Sequence, residues 1–398
     1  MSRQIDSFEA LLAPMSVAEF MAEYRGRKPL HIQGGGDKFA GVMGWDLLTR
    51  LINQSSIWSA ASMQLVLDGK RVDPKDFCTP AIGRDKATLP IPDLDRVRGW
   101  LQRGASLLLN DIDQLSPGLK AAAAALEAGL GGKVQGNLYC SWQAHQGFGS
   151  HYDTHEVFAV HVAGEKTWRL YERHFQDPIA HAAFQIKDDA FHARHKGRLT
   201  AEVTLKPGDL LYIPRGWYHD ALATSEATIH VAYGITCPIG LDLFSLLFER
   251  AVQEPRFRAA VPDPDADGGT ATAEHLATLG DTLATLVREP AVVEKFAAFM
   301  RGYRYPRADL RLPDDAVERR WRRATAGLRL AQQNGAWVLT DGRQRAPIPP
   351  GTDKPIGWIL EHESFAERDF AAAFPALAEN DRRGLLASLE KMAVIALG

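Results

Sequence analysis

Cysteine is scarce in this chain: Cys78, Cys140 and Cys237 are its three examples, and they lie far apart. That excludes a disulfide framework and a Cys-x-x-Cys metal or redox site, and fits a reducing compartment. No apolar run approaches the roughly 20 residues a membrane helix needs. The opening, MSRQIDSFEALLAP, has charged and polar residues where a secretory leader needs an apolar stretch, so a cytoplasmic protein is expected. Charge of one sign is lacking too. The 46 basic and 49 acidic residues leave −3, which gives no global attraction to nucleic acid or an anionic membrane. Repeats and long low-complexity tracts are absent. What remains, 45% hydrophobic and 24% charged residues in 398, is the composition of a soluble globular protein with two or three domains.

Read in order, residues 5–55 suggest helices around a short extended piece at Leu30 to Ile32. The spacing predicts helices over Val17 to Tyr24 and Trp45 to Ile52. Ser62 to Leu67 alternates as a strand does, and Ala105 to Leu109 reads as a buried one. Pro117 to Leu130 is an Ala-rich helix, with Pro at its start and glycines past its end. From Val134 to Thr236 strands dominate, interrupted by an insert, Phe175 to Lys196, expected to lie over the mouth of a barrel. Beyond Pro238 apolar residues recur at helical spacing over Leu241 to Val252, Ala273 to Arg288 and Ala291 to Arg301. A further unit of short helices follows Pro347-Ile348-Pro349-Pro350-Gly351.

The chemistry concentrates in GFGSHYDTHEVFAVHVAGEKTWRLY, residues 147–171. His151 and Asp153 are two apart, so on an extended chain both side chains point to one face and can reach one ion. One imidazole and one carboxylate are two-thirds of the 2-His-1-carboxylate set that holds non-haem Fe(II) and leaves positions open. The third ligand is expected from a later strand. His219, in LKPGDLLYIPRGWYHDA, is the leading candidate, and His230, in TIHVAYG, is its rival. Lys166 places a cation on the strand next to Asp153. His155 and His161 share strand parity with the ligands; His155 is a candidate substrate contact and His161 a structural residue. His145, His174, His181, His192 and His195 read as surface or loop residues.

These motifs, with KPLHI early and GNLYCSW before the centre, resemble the JmjC branch of the Fe(II)/2-oxoglutarate oxygenases. More narrowly they resemble the bacterial cupin-like group that includes the ribosomal oxygenases. The resemblance implies a mainly β catalytic core, a double-stranded β-helix of the cupin kind with N-terminal helices. An α-helical dimerisation region and a winged-helix-like C-terminal domain follow. The corresponding boundaries are 1–236, 237–308 and 309–398. It also implies that His151, Asp153 and His219 bind Fe(II), that Lys166 binds the distal carboxylate of 2-oxoglutarate, and that Tyr139 and Asn137 line the cosubstrate pocket. Trp217 joins His155 as a substrate-side candidate. Some relatives have Thr or Ser three residues before the first ligand, acting on the cosubstrate. Phe148 stands there, which leaves one hydrogen bond unassigned and favours the ribosomal-oxygenase branch.

The expected reaction is hydroxylation of a side chain, consuming O2 and 2-oxoglutarate and releasing succinate and CO2. The substrate is a protein, a ribosomal one above all, with a precursor peptide, an amino acid or a small metabolite as alternatives. A non-redox metal cupin and a metal-free binding module are the readings from other classes. A homodimer is expected through the helices between Leu241 and Arg301, their apolar faces including Leu243, Phe244, Leu247, Leu276, Leu283 and Phe296. From Arg301 to Arg345 eleven arginines face five acids, a segment expected to touch ribosomal RNA or an acidic surface. The acidic tail after it argues against binding of specific DNA.

Overall fold

The computed structural model describes residues 5–82, 88–142, 149–184, 188–224, 226–307, 319–342 and 344–398. Phe148, His145, Arg311 and Arg343 lie outside the described residues. The chain divides into two compact units, Met1–Arg307 and Ala308–Gly398. Each has its own buried apolar core.

The first unit opens with α1 (Phe8–Leu12) and α2 (Val17–Glu19), the latter continuing as a π-type turn to Tyr24, and then β1 (Leu30–Ile32). Ser7 caps α1 by accepting the Ala10 N–H, and the helix buries Phe8, Leu11 and Leu12. There follow α3 (Trp45–Ile52), β2 (Met63–Leu67), β3 (Lys70–Arg71), a hairpin of β4 (Cys78–Ile82) and β5 (Thr88–Pro92), α4 (Leu94–Gln102), and β6 (Ser106–Leu109). Next is α5 (Pro117–Leu130), whose proline costs no hydrogen bond because the first helical N–H has no internal partner. Ser116 caps it through the Leu119 N–H, and Ala122, Ala123 and Leu126 go into the core. After α5 the strands take over: β7 (Lys133–Trp142), β8 (Glu156–Ala163) and β9 (Lys166–His174). Then come α6 (Asp189–His195), β10 (Leu199–Leu205), β11 (Leu210–Ile213), β12 (Trp217–Ala223) and β13 (Ala227–Thr236).

Two antiparallel sheets result. One runs β1-β11-β8-β13-β7-β6-β2-β3 and the other β10-β9-β12. The Ala163-Gly164-Glu165 turn joining β8 to β9 carries the chain from one sheet to the other, and Gly164 supplies its left-handed backbone (φ 69°). β13 is the central strand beside the cavity: His230 pairs with Tyr139 on one side and His161 on the other. In the small sheet His219 pairs with Leu170. Val157, Ala159, Trp168, Leu170, Leu205, Leu211 and Ile213 form the apolar filling between the sheets.

Beyond the strands come α7 (Asp242–Ala251), α8 (Pro255–Arg258), α9 (Thr270–Val287) and α10 (Pro290–Gly302). Leu247, Leu286 and Val292 make their shared core, with Leu243 and Leu283 packed against it. Leu243, Leu247 and Leu283, expected on an outer face, are therefore turned inward, whereas Phe244 and Leu276 of the same expectation are exposed. Leu241, Phe244, Phe248 and Val252, spaced three to four residues apart along and beside α7, make an exposed stripe. Arg307 departs from expectation as well. Its guanidinium is buried against Asp113, Glu127 (2.8 Å) and the Val134 carbonyl (2.7 Å), so it is a structural tie and takes no part in any outward-facing basic surface.

The second unit contains β14 (Arg320–Arg323), β15 (Arg329–Gln333), β16 (Ala336–Thr340), β17 (Arg345–Pro347), α11 (Asp353–Glu361), β18 (Ser364–Ala366), α12 (Glu367–Ala373), α13 (Glu379–Lys391) and β19 (Ile395–Leu397). β14 lies between β18 and β19, and β15-β16-β17 form a second small sheet. Trp321, Ile356, Ile359, Phe365, Phe370, Leu386 and Leu389 hold the unit together.

Candidate active site

His151 follows the Gly149-Ser150 turn and pairs backbone to backbone with His219 of β12: each N–H donates to the other's carbonyl, at 3.0 and 2.9 Å. The narrow bridge brings the two imidazoles to 4.5 Å between ring centres. Asp153 returns to the same face two residues on, and its Oδ2 lies 3.5 Å from His219 Nε2. A donor atom from each of His151, Asp153 and His219 lies within 4.8 Å of the others.

The protonation pattern suits a metal. Each Nδ1 faces a carbonyl oxygen, Gly149 for His151 and Trp217 for His219, both at 2.9 Å. A carbonyl only accepts, so both rings carry a proton on Nδ1 and turn Nε2 toward the site. Burial, with His151 beside it, lowers the pKa of His219 to about 4 and keeps it neutral. Burial opposes the charge on Asp153, but His155, His151 and His219 outweigh it and hold the carboxyl below its usual range. Two imidazoles that present Nε2 and one carboxylate are the donor set of a facial triad.

The triad opens on a cavity of about 120 Å³ whose lining includes Asn137, Tyr139, His155, Lys166, Trp168 and His230. Lys166 is buried, with no acidic partner among the described residues, and burial lowers its pKa to about 8. Its ammonium lies 6.0 Å from the centre of the Tyr139 ring. Burial raises the pKa of the Tyr139 hydroxyl, so it remains a donor at any working pH. Asn137 accepts the Asp111 N–H, which orients its amide. The Cδ2–Nε2 edge of His155 lies against Gly234: a Cβ there would meet the ring at 2.3 Å, so glycine makes room for the ring.

His230, the rival third ligand, also lines the cavity but does not join the triad. It stacks on Tyr139 (4.8 Å between centres, 6° between planes), and burial, with Lys166 and His161 adding to it, lowers its pKa far below normal. His230 Nδ1 and the Trp168 indole N–H are buried without a partner among the described residues. Sequence reasoning passed over Trp168, although its parity with Lys166 along β9 points it inward.

Three expectations change. Trp217 is not among the lining residues: it stacks on His174 (5.3 Å) and donates its indole N–H to the Tyr171 carbonyl, bracing β12 against β9. The described part of the insert 175–196 contributes nothing to the cavity lining. Phe175 stacks on Tyr152 (5.0 Å) and His192 lies edge-on to Tyr152 and Tyr218 (5.7 Å each), behind the ligand-bearing segments. His192 is thus a buried residue and not a surface one, because it fills the gap between α6 and that aromatic cluster.

Residues 120–243 match the family model described as the JmjC domain. The chain is 30% identical over 267 residues to ribosomal oxygenase 2 of Bos taurus, covering 64% of this chain and 54% of that one. It is 25% identical over 225 residues to the bifunctional lysine-specific demethylase and histidyl-hydroxylase NO66 of Drosophila persimilis, covering 56% and 30% respectively. The chain thus spans about half of the first relative's length and a third of the second's. Among solved structures it resembles E. coli YcfD, with a TM-score of 0.53 at 16% identity over 96% of this chain and 98% of that one. It likewise resembles the ribosomal oxygenase YcfD solved with cobalt and 2-oxoglutarate (TM-score 0.51, 17% identity, 96% and 98% covered). At such identities the structural likeness shows the fold. The JmjC match falls over the strands that carry His151, Asp153 and His219, and the similar proteins include ones named as ribosomal oxygenases.

Proposed function

We propose that this chain is an Fe(II)- and 2-oxoglutarate-dependent oxygenase that hydroxylates a side chain of a protein, with a ribosomal protein as its substrate. The observation that carries the reading is one cavity lined by two imidazoles and a carboxylate grouped as metal ligands and by a buried Lys166 with no acidic partner among the described residues. His151 Nε2, His219 Nε2 and an Asp153 oxygen hold the metal. An all-oxygen cation such as Mg²⁺ or Ca²⁺ would call for more carboxylates than these. Bound there, Fe(II) supplies O2 activation coupled to oxidative decarboxylation of the 2-oxoacid, giving succinate and CO2.

The chain's own residues do the positioning. Lys166 draws in the far carboxylate of 2-oxoglutarate by a charge-assisted hydrogen bond, in a site dry enough to strengthen it. Tyr139 and Asn137 shape the wall beside it, and the unpartnered nitrogens of Trp168 and His230 offer further polar contacts there. His155, against Gly234 at the Asp153 side, faces the incoming substrate. The names of the relatives support a ribosomal substrate. The exposed α7 stripe supports a homodimer, and the three helices and small sheets of the second unit support a winged-helix-like reading. No helix among the described residues is long and apolar enough to cross a membrane.

Two measurements test this. Purified protein with Fe(II) should convert 2-oxoglutarate to succinate, a reaction that a non-redox cupin or a binding module would not perform. Ribosomal proteins from a strain lacking the gene should be lighter than wild type by one oxygen atom at one side chain. Absence of succinate under Fe(II) and O2 with every ribosomal protein offered would overturn the reading.

A further inference from the structure

Strand alternation gives the ligand-bearing segments a second face. If His151, Asp153 and His219 point into the cavity, then Ser150, Tyr152, Tyr218 and Asp220 point away from it. Behind the site a buried cluster of Tyr152, Tyr171 and Tyr218 packs with Phe175. Beside it lies a polar network that the proposed reaction leaves unused. Ser150 Oγ and the Tyr171 hydroxyl both donate to Asp220 Oδ2, each at 2.6 Å. Lys196, just past α6, donates to Ser150 Oγ at 2.8 Å and lies 4.1 Å from the centre of the Tyr171 ring. Asp220 is only 4% exposed.

The placement of this network matters more than its composition. Ser150 adjoins His151, Asp220 adjoins His219, and the backbones of the two histidines bridge each other. Ser150 and Asp220 therefore form the next rung of the same ladder, on its outer face. Tyr171 adds β9 to the clamp, and Lys196 fastens α6 onto it. A carboxylate taken from water is stable only if its hydrogen bonds are made, so a purely packing role would have been served better by an apolar side chain.

We propose that Asp220 is a positioning residue of the metal site: with Ser150, Tyr171 and Lys196 it fixes the separation of the two histidine-bearing segments from behind, and α6 closes the clamp. Metal affinity is then set partly from outside the cavity. The inference rests on the reading that His151, Asp153 and His219 hold a divalent metal. Groups that orient metal ligands in this way typically change affinity by about 10- to 100-fold when removed.

The test is calorimetric titration of Co(II) into metal-free full-length protein, with the visible Co(II) spectrum recorded alongside. Wild type should bind one Co(II). Asp220→Ala should weaken binding by about 10- to 100-fold and alter the spectrum, Asp220→Asn should restore part of the loss, and Tyr171→Phe and Ser150→Ala should each weaken it by a smaller factor. Circular dichroism and thermal melting of each metal-free variant report the fold separately. If Asp220→Ala does not fold, Tyr171→Phe and Ser150→Ala decide the matter. Variants that fold and bind Co(II) within twofold of wild type, with an unchanged spectrum, overturn the inference. A wild-type protein that binds no Co(II) overturns the metal reading itself.

Discussion

His219 and His230 both line the cavity, yet their surroundings give them different duties. His219 has its Nδ1 proton committed to the Trp217 carbonyl and its Nε2 beside Asp153, whereas His230 is wedged against Tyr139 away from that carboxylate. His219→Ala should therefore abolish succinate formation while circular dichroism stays that of wild type; retained turnover would transfer the third ligand's role to His230. Lys166 makes a pH-dependent prediction. With its pKa lowered to about 8, the ammonium is mostly present at pH 7 and mostly lost at pH 9. The Michaelis constant for 2-oxoglutarate should therefore rise across that interval. Lys166→Ala removes a charge-assisted bond of about 1.5–3 kcal/mol, which should raise that constant about 10- to 100-fold and flatten its pH dependence. A variant with the wild-type constant would show that another group holds the carboxylate.

Among the elements, α7 carries the clearest outward signal. Phe244 is 59% and Phe248 67% exposed, on the same stripe as Leu241 and Val252, an apolar face of the kind that subunit interfaces use. Phe244→Glu with Phe248→Glu should halve the mass seen by light scattering at micromolar concentration; a wild-type protein already monomeric there would refute the dimer. Arg307 gives a stability prediction. Its loss strands the buried carboxylates of Asp113 and Glu127, so Arg307→Ala should cost about 3–5 kcal/mol, read as a lower urea midpoint. How legible such features are in sequence depends on their range. α3 and α5 begin and end where spacing and caps place them, because those signals lie within the element. The His151/Asp153 pair is legible for the same reason, being a strand parity. Arg307 is not, because its partners are 194 and 180 residues away. Nor is the inward turn of Leu247, since a periodic apolar face does not say which neighbour covers it. The short strands β14 and β19 are not legible because their pairing is non-local, and the anchoring of the described part of the insert on Tyr152 is hidden because that residue lies between two ligands and looks like part of the motif.

At the scale of the whole molecule, the proposed ribosomal substrate raises the question of how a chain of net charge −3 would meet it. Not every arginine between Arg301 and Arg345 is available for such a contact, for Arg307 is internal to the first unit and Arg323 donates to the Leu360 carbonyl at 2.7 Å. Alternation along β14 sorts the rest. Trp321 is buried in the core of the second unit, while Arg320 and Arg322, either side of it, are exposed. Two outward guanidiniums suit phosphate or carboxylate surfaces, and such contacts weaken as salt screens them. Arg320→Glu with Arg322→Glu should lower activity toward a ribosomal protein presented with its RNA, most of all at low salt. Activity on a short peptide containing the same target side chain should be unchanged, because the cavity and its ligands belong to the first unit. Equal loss on both substrates, or a loss indifferent to salt, would assign these arginines to the folding of the second unit and leave substrate capture to the cavity mouth.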